Sequence, residues 1–187
     1  WRHFDNASAE VANLSIFSAE TGITGTTEGI VFQTPAFAAG DALLGQGGFW
    51  YPGKAVRLWV SGTLTTAATP GTITLNQRLD SITGASMGAS VAITQIASIT
   101  NATWVYQAYF VCRSVGTAGT LWGQGQTTFN TTVVTATSPG RTWLLPDITP
   151  AVATINTTTA HSLCLTALFS VTGDTMTAQQ GFCEVLN

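Results

Sequence analysis

Between Ala55 and Thr66 apolar residues fall at alternate positions. Val56, Leu58, Val60 and Leu64 share one face, while Arg57, Trp59, Ser61, Thr63 and Thr65 share the other. Residues two apart point the same way in an extended chain, so this period predicts a half-buried β-strand and rules out a helix there. Pro52-Gly53 ahead of it is a turn signal, and Thr69-Pro70-Gly71 turns the chain after it. The stretch Thr72 to Asp80 repeats the alternation, with Ile73, Leu75 and Leu79 opposite Thr74, Asn76 and Arg78. The two stretches are expected to form a β-hairpin or a close antiparallel pair.

The same reading continues to the end of the chain. A Gly- and Ser-rich stretch, Thr83 to Ser90, precedes a short strand at Val91 to Ile96. Thr103 to Arg113 carries Trp104, Tyr106, Phe110 and Cys112 on one face and Val105, Tyr109 and Val111 on the other. A strand that is apolar on both faces is either central in a sandwich or covered on its outer face by a partner. Ser114 to Gly119 turns it back into a strand from Thr120 to Phe129. Short strands are expected at Thr132 to Val134 and Val152 to Thr158, separated by the Pro139-Gly140 and Pro146 to Pro150 loops. Ser162 to Val171 and Thr175 to Leu186 flank Gly173-Asp174 and read as a last hairpin. With those two residues as the tight turn, Cys164 lies opposite Cys183, Leu165 opposite Phe182, Phe169 opposite Ala178 and Val171 opposite Met176. Leu163 then falls opposite Glu184, a conflict that calls for a bulge or a partner for Glu184.

The segment before Tyr51 differs. It holds Asp5, Glu10, Glu20, Glu28 and Asp41, five of the nine acidic residues. A short helix is expected near Ser8 to Leu14, a strand at Gly29 to Thr34 stopped by Pro35, and a loop at Gly45 to Gly48. Residues 1–50 are therefore read as an N-terminal arm and first edge strand, and 51–187 as the folded domain. Many short strands with turn signals between them, and no long helix, give an all-β antiparallel β-sandwich. A Gly- and Thr-rich antiparallel chain of 187 residues fits a jelly roll, and the Cys, Trp, Cys spacing of an immunoglobulin domain is missing.

Only 8% of residues are charged, against roughly 25% in an average soluble domain. The wet surface must then be Thr, Ser, Asn, Gln and Gly, which can be covered by another protein without stranding charges. Six Lys plus Arg against nine Asp plus Glu give a net charge of −3, which excludes a free nucleic-acid binder. No apolar run is long enough for a membrane helix, and six Trp with nine Phe exclude a disordered chain. The chain begins at Trp1, so its start is processed or incompletely observed, and no signal-peptide pattern is visible in it.

Catalytic chemistry finds no support. His3 and His161 are far apart, and His161 reads as a surface residue. No GxSxG occurs, and no carboxylate pair falls on one face. Gly123-Gln124-Gly125 lies in a strand with no helix after it, so it is not a phosphate loop. Cys112, Cys164 and Cys183 read as buried thiols, with a cross-strand Cys164–Cys183 disulfide as the alternative where rotamers suit it, and with no CxxC no metal or other cofactor is expected. Sequons at Asn6, Asn13, Asn101, Asn130 and Asn156 keep a secreted glycoprotein open as a minor reading. Trp59 faces away from the Val56, Leu58 and Val60 face, where it can stack on a sugar or fill a pocket on a neighbouring subunit; the latter is preferred.

The runs Val56-Arg57-Leu58-Trp59-Val60-Ser61-Gly62-Thr63-Leu64 and Pro70-Gly71-Thr72-Ile73-Thr74-Leu75 resemble tailed-phage virion proteins of jelly-roll type. So do Trp104 to Ala108, Arg113 to Thr120 and the ending Glu184-Val185-Leu186-Asn187. Trimeric sandwiches of the tumour-necrosis-factor and C1q type are similar in outline. The resemblance spans roughly Tyr51 to Asn187. It implies a virion structural protein, a capsid decoration (cement) protein or a head or tail appendage, with no catalytic residues. The implied partners are the major capsid protein and further copies of the chain, expected as a homotrimer. The implied place is the capsid exterior, after assembly in the host cytoplasm. Candidate subunit or capsid contacts are Trp1, Phe4, Phe17, Trp50, Trp59 and Tyr109. The alternative is a carbohydrate- or receptor-binding β-sandwich module of a phage tail or a secreted protein.

Overall fold

The computed structural model describes residues 14–16, 22–39, 48–130, 142–147 and 152–186. Thirteen strands run through them: β1 (Leu14–Ile16), β2 (Ile23–Thr24), β3 (Gly29–Gln33), β4 (Ala55–Thr65), β5 (Thr72–Leu79), β6 (Ser86–Ala89), β7 (Ile93–Thr94), β8 (Ala102–Ser114), β9 (Gly119–Phe129), β10 (Thr142–Leu145), β11 (Val152–Ile155), β12 (Leu163–Phe169) and β13 (Thr175–Val185). They form two antiparallel sheets. The eight-stranded sheet has the order β1-β13-β4-β8-β9-β10, with β11 also on β9 and β2 also on β13. The five-stranded sheet has the order β3-β12-β5-β6, with β7 also on β5. No helix occurs among the described residues, and the fold is an antiparallel β-sandwich of jelly-roll type.

The alternations expected of β4, β5 and β8 are present, whereas the strands expected at Val91 to Ile96 and Val152 to Thr158 are reduced to β7 and β11. In β4, Val56, Leu58, Val60 and Leu64 are fully buried; in β5, Ile73, Leu75 and Leu79; in β8, Trp104, Tyr106, Phe110 and Cys112. What these strands pair with is different. β4 and β5 are not a hairpin: β4 lies between β13 and β8 in the larger sheet, and β5 pairs with β12 in the smaller one. Their apolar faces meet across the sandwich and do not lie side by side. Residues 66–71 arch over the roughly 10 Å between stacked sheets.

The last two strands part company in the same way. β12 pairs with β3 and β5, whereas β13 pairs with β4, β1 and β2. The expected pairing of Cys164 with Cys183 is therefore corrected. Cys164 stands beside Arg78 and Gln33 in one sheet, and Cys183 beside Leu58 and Leu14 in the other. The conflict of Leu163 with Glu184 disappears, because Glu184 sits beside Arg57. The apolar positions of β12 and β13 matched because both strands face one core, a coincidence that a hairpin and an arch produce alike. The β4–β5 and β12–β13 segments thus run side by side and cross together from one sheet to the other, the wrap that defines a jelly roll.

Other expectations hold directly. β8 and β9 form the hairpin through residues 115–118. β3 ends before Pro35 and occupies an edge of the five-stranded sheet. The strand expected at Thr132 to Val134 lies outside the described residues, as does the expected helix except for Leu14, which opens β1.

Glycines set the spacing of the layers at two places. A Cβ on Gly181 would stand 2.4 Å from Cε2 of Phe32, so its absence lets the Phe32 ring of the smaller sheet seat on the larger one. A Cβ on Gly123 would stand 2.8 Å from the Phe110 ring and 3.2 Å from Oε1 of Gln77. Gln77 is fully buried, and its side-chain amide donates to the Leu145 carbonyl. One end of the core is closed by an aromatic trio. Phe37 stacks on Phe49 at 4.4 Å, and Trp50 meets both edge-on.

Candidate functional site

A sandwich has two outer faces, and in this chain they differ in chemistry. Alternation assigns them: every residue between two core-facing neighbours points outward. On the eight-stranded sheet the strand registers arrange the outward residues of β13, β4, β8 and β9 in rows. One row runs Glu184, Arg57, Tyr109, Gln124. The next runs Phe182, Trp59, Gln107, Gln126 and continues onto β10 as Leu144. A third runs Gln180, Ser61, Val105, Thr128, Thr142. On the other side of the first row lie Ala55, Val111, Trp122 and, on β11, Val152.

This face is aromatic, aliphatic and amide-bearing. Trp59 and Phe182 stack across β4 and β13 with centroids 5.5 Å apart and 20° between planes. The Arg57 guanidinium pairs with Glu184 and lies 5.8 Å from the Phe182 ring centroid. Tyr109 is 47% exposed, Leu144 46% and Val152 43%. Arg113, at the end of β8, lies beyond the Val111 row.

The outer face of the five-stranded sheet is sealed by polar groups of the chain itself. Nε and an Nη of Arg78 donate to the two oxygens of Glu28 at 2.7 and 2.9 Å. The other Nη donates to the Gly84 carbonyl at 3.1 Å, and the Thr166 hydroxyl donates to Glu28. Burial alone pushes the Glu28 carboxyl up, but the Arg78 and Thr166 hydrogen bonds and the Arg78 charge outweigh it and hold the group below its ordinary range. Beside this, Gln33 donates to the Asp80 carbonyl at 2.9 Å and to the Ser162 hydroxyl at 2.7 Å.

His161 is not the surface residue that its position suggested. Its Nδ1 lies 2.7 Å from Oδ2 of Asp80, while Nε2 lies 2.8 Å from the Asn156 carbonyl and 3.0 Å from the Thr159 hydroxyl. The Ser162 amide donates to the second oxygen of Asp80 at 2.8 Å. An acid, an imidazole and a hydroxyl in sequence have the outline of a nucleophile relay. Here, however, the Thr159 hydroxyl donates to the Asn156 carbonyl at 2.9 Å, and that same carbonyl faces Nε2. The group closes the 156–162 loop onto the end of β5, with Nε2 and the Thr159 hydroxyl both facing the Asn156 carbonyl. Among the described residues no cluster of His, Cys, Asp or Glu has the makings of a metal site. Among the described residues no helix is long and apolar enough to cross a membrane.

The three cysteines are free and buried. Burial pushes the Cys183 thiol up to about 12 and the Cys164 thiol to about 11, and raises Cys112 as well, which disfavours the thiolate form of each.

Of the candidate contact residues, Trp59 and Tyr109 stand in adjoining rows of the same outer face, one position apart across β4 and β8. Trp50 is corrected: it is 0% exposed inside the chain, packed on Phe37 and Phe49, and offers nothing to a partner. Its place after the Gly-rich stretch gave no strand face from which to read this. Trp1, Phe4 and Phe17 lie outside the described residues. Phe182, Trp122, Gln107, Gln124, Gln126 and Leu144 were missed. In β9 the inward set includes Gly123 and Gly125, so the strand's bulkiest side chain, Trp122, points outward against the usual reading of alternation.

No family model matches the sequence, and no curated protein is similar to it. Among solved structures the chain is similar to lectin I from Ulex europaeus in complex with the methyl glycoside of alpha-L-fucose. That match has a TM-score of 0.39 and 8% identity, over 92% of this chain and 91% of the lectin, a similarity too low to bear on function.

Proposed function

We propose that the chain is a structural subunit of a tailed-phage particle, a decoration (cement) protein on the capsid exterior. The observation that carries this reading is the outer face of the eight-stranded sheet. Tyr109, Trp59, Phe182, Trp122, Val105, Val111 and Leu144 share it with Gln107, Gln124 and Gln126, and its central rows hold no charge beyond the mutually paired Arg57 and Glu184. Such a face is covered by protein at little desolvation cost. The resemblance of the strand runs to jelly-roll virion proteins supplies the setting. In this reading copies of the chain associate through the sheet face, and the N-terminal segment grips the major capsid protein. Reinforcement then comes from contact area repeated over many copies, less the cost of association. The protein carries no catalytic step and needs no cofactor.

A second reading, a glycan-binding module, gains from the amides beside Tyr109, which suit sugar hydroxyls. It loses from Trp59, one of whose ring faces is already taken by Phe182. Gold-labelled antibody against the chain, applied to purified intact particles, tests the proposal. Label over the capsid shell, and particles that break at lower temperature when the chain is stripped and recover when it is added back, are expected. Particles without the chain overturn it.

A further inference from the structure

We infer that the occupant of the larger sheet's outer face is a second copy of this chain, docked face to face on the same surface. The inference rests on the reading of the chain as an assembling subunit and deepens it by naming the partner. Charge speaks first. Arg57 and Glu184 neutralise each other within the chain, so the central rows present no net charge and ask for no partner of opposite sign. A basic or acidic partner gains nothing there, and the net charge of −3 sets up little repulsion between copies.

Hydrogen-bonding chemistry speaks second. Gln107 and Gln126 are directly opposed across β8 and β9, and Gln124 lies one outward position along. A primary amide is donor and acceptor at once. An amide row therefore satisfies a copy of itself, whereas a purely apolar partner would leave it unpaired at a cost.

Area and symmetry complete the case. The outward residues of β13, β4, β8 and β9 with their flanks number about twenty, the complement that one side of a standard interface uses. Among the described residues the opposite sheet carries the Arg78–Glu28 pair, with Asp80–His161 at its end, and has no aromatic row of this kind. One self-complementary patch makes an isologous pair, in place of the homotrimer that the resemblance implies, while a ring needs two different patches on each copy.

The test is sedimentation equilibrium of the purified full chain with two variants. Tyr109→Glu puts a carboxylate at the exposed centre of the face. Leu168→Glu puts one at a position 39% exposed on the other sheet. The wild-type chain is expected to be a dimer that Tyr109→Glu weakens at least about 30-fold, with unchanged circular dichroism, while Leu168→Glu remains a dimer. A wild-type monomer at about 100 μM, a trimer, or a dimer indifferent to Tyr109→Glu overturns the inference. So does a monomer that captures glycans through Tyr109. Failure of the virion reading is separate: a chain that pairs in this way but is absent from particles keeps the pair and loses the particle.

Discussion

Oδ1 of Asp174 accepts a hydrogen bond from the Ala67 backbone amide at 2.7 Å, tying the β12–β13 arch to the β4–β5 arch. Asp174 is fully buried, and a Cβ on Gly173 beside it would stand 3.2 Å from the Ala67 Cβ. Two segments about a hundred residues apart are thus joined where both cross between sheets, so this corner holds the wrap of the fold. Asp174→Ala leaves the Ala67 amide without its partner and is expected to cost about 1–3 kcal/mol in urea denaturation. Asp174→Asn keeps the acceptor oxygen and is expected to cost less. Equal loss in both variants would mean that the hydrogen bond is not what matters there.

The ion pair on the smaller sheet gives a pH dependence of known sign. Glu28 sits below its ordinary range because of Arg78 and Thr166, in spite of burial. Its stabilising effect is therefore present above the unfolded value of about 4.3 and is lost as pH falls through the lower folded value. Thermal unfolding between pH 7 and 3 should show stability falling in acid. Glu28→Gln should be less stable at neutral pH and show a shallower acid decline. Parallel curves would contradict the assignment.

The thiols should be silent. Cys164 lies on the outer side of the five-stranded sheet and Cys183 faces the core from the eight-stranded one, so they cannot bridge. With both thiols held well above neutral pH by burial, Ellman's reagent at pH 8 should release no colour from the native chain. In denaturant it should report all three cysteines. Fast reaction of a native thiol would place that residue at the surface.

Close approach of the layers at Gly181 is expected to be intolerant of volume. Gly181→Val adds atoms where even a Cβ is 2.4 Å from Phe32, and overpacking of this kind costs about 1–3 kcal/mol. Phe32→Leu in the same chain should recover part of the loss, measured as a double-mutant cycle.

Period-two alternation made the strands and their inward faces legible, since burial on one side imposes that pattern. Val56, Leu58, Val60, Ile73, Leu75, Trp104 and Phe110 all face the core as their spacing predicts. Alternation does not say which strand lies beside which. A tight hairpin and an arch between sheets leave the same trace, so β4–β5 and β12–β13 read as hairpins, although the buried side chain of Asp174 bridges two arches. Trp59 and Tyr109 on the outer face were legible from β4 and β8 alone. Phe182, Trp122 and the three glutamines join them only through long-range register, which no local pattern carries.

The central claim is that the outer face of the eight-stranded sheet is buried when the protein does its work. Hydroxyl-radical footprinting of the wild-type chain over a concentration series tests it most directly. Tyr109 and Leu144 should lose reactivity as the chain associates, while Leu168, 39% exposed on the five-stranded sheet, should keep its own. Reactivity of Tyr109 as constant as that of Leu168 at every concentration, and on the assembled particle, would contradict the account.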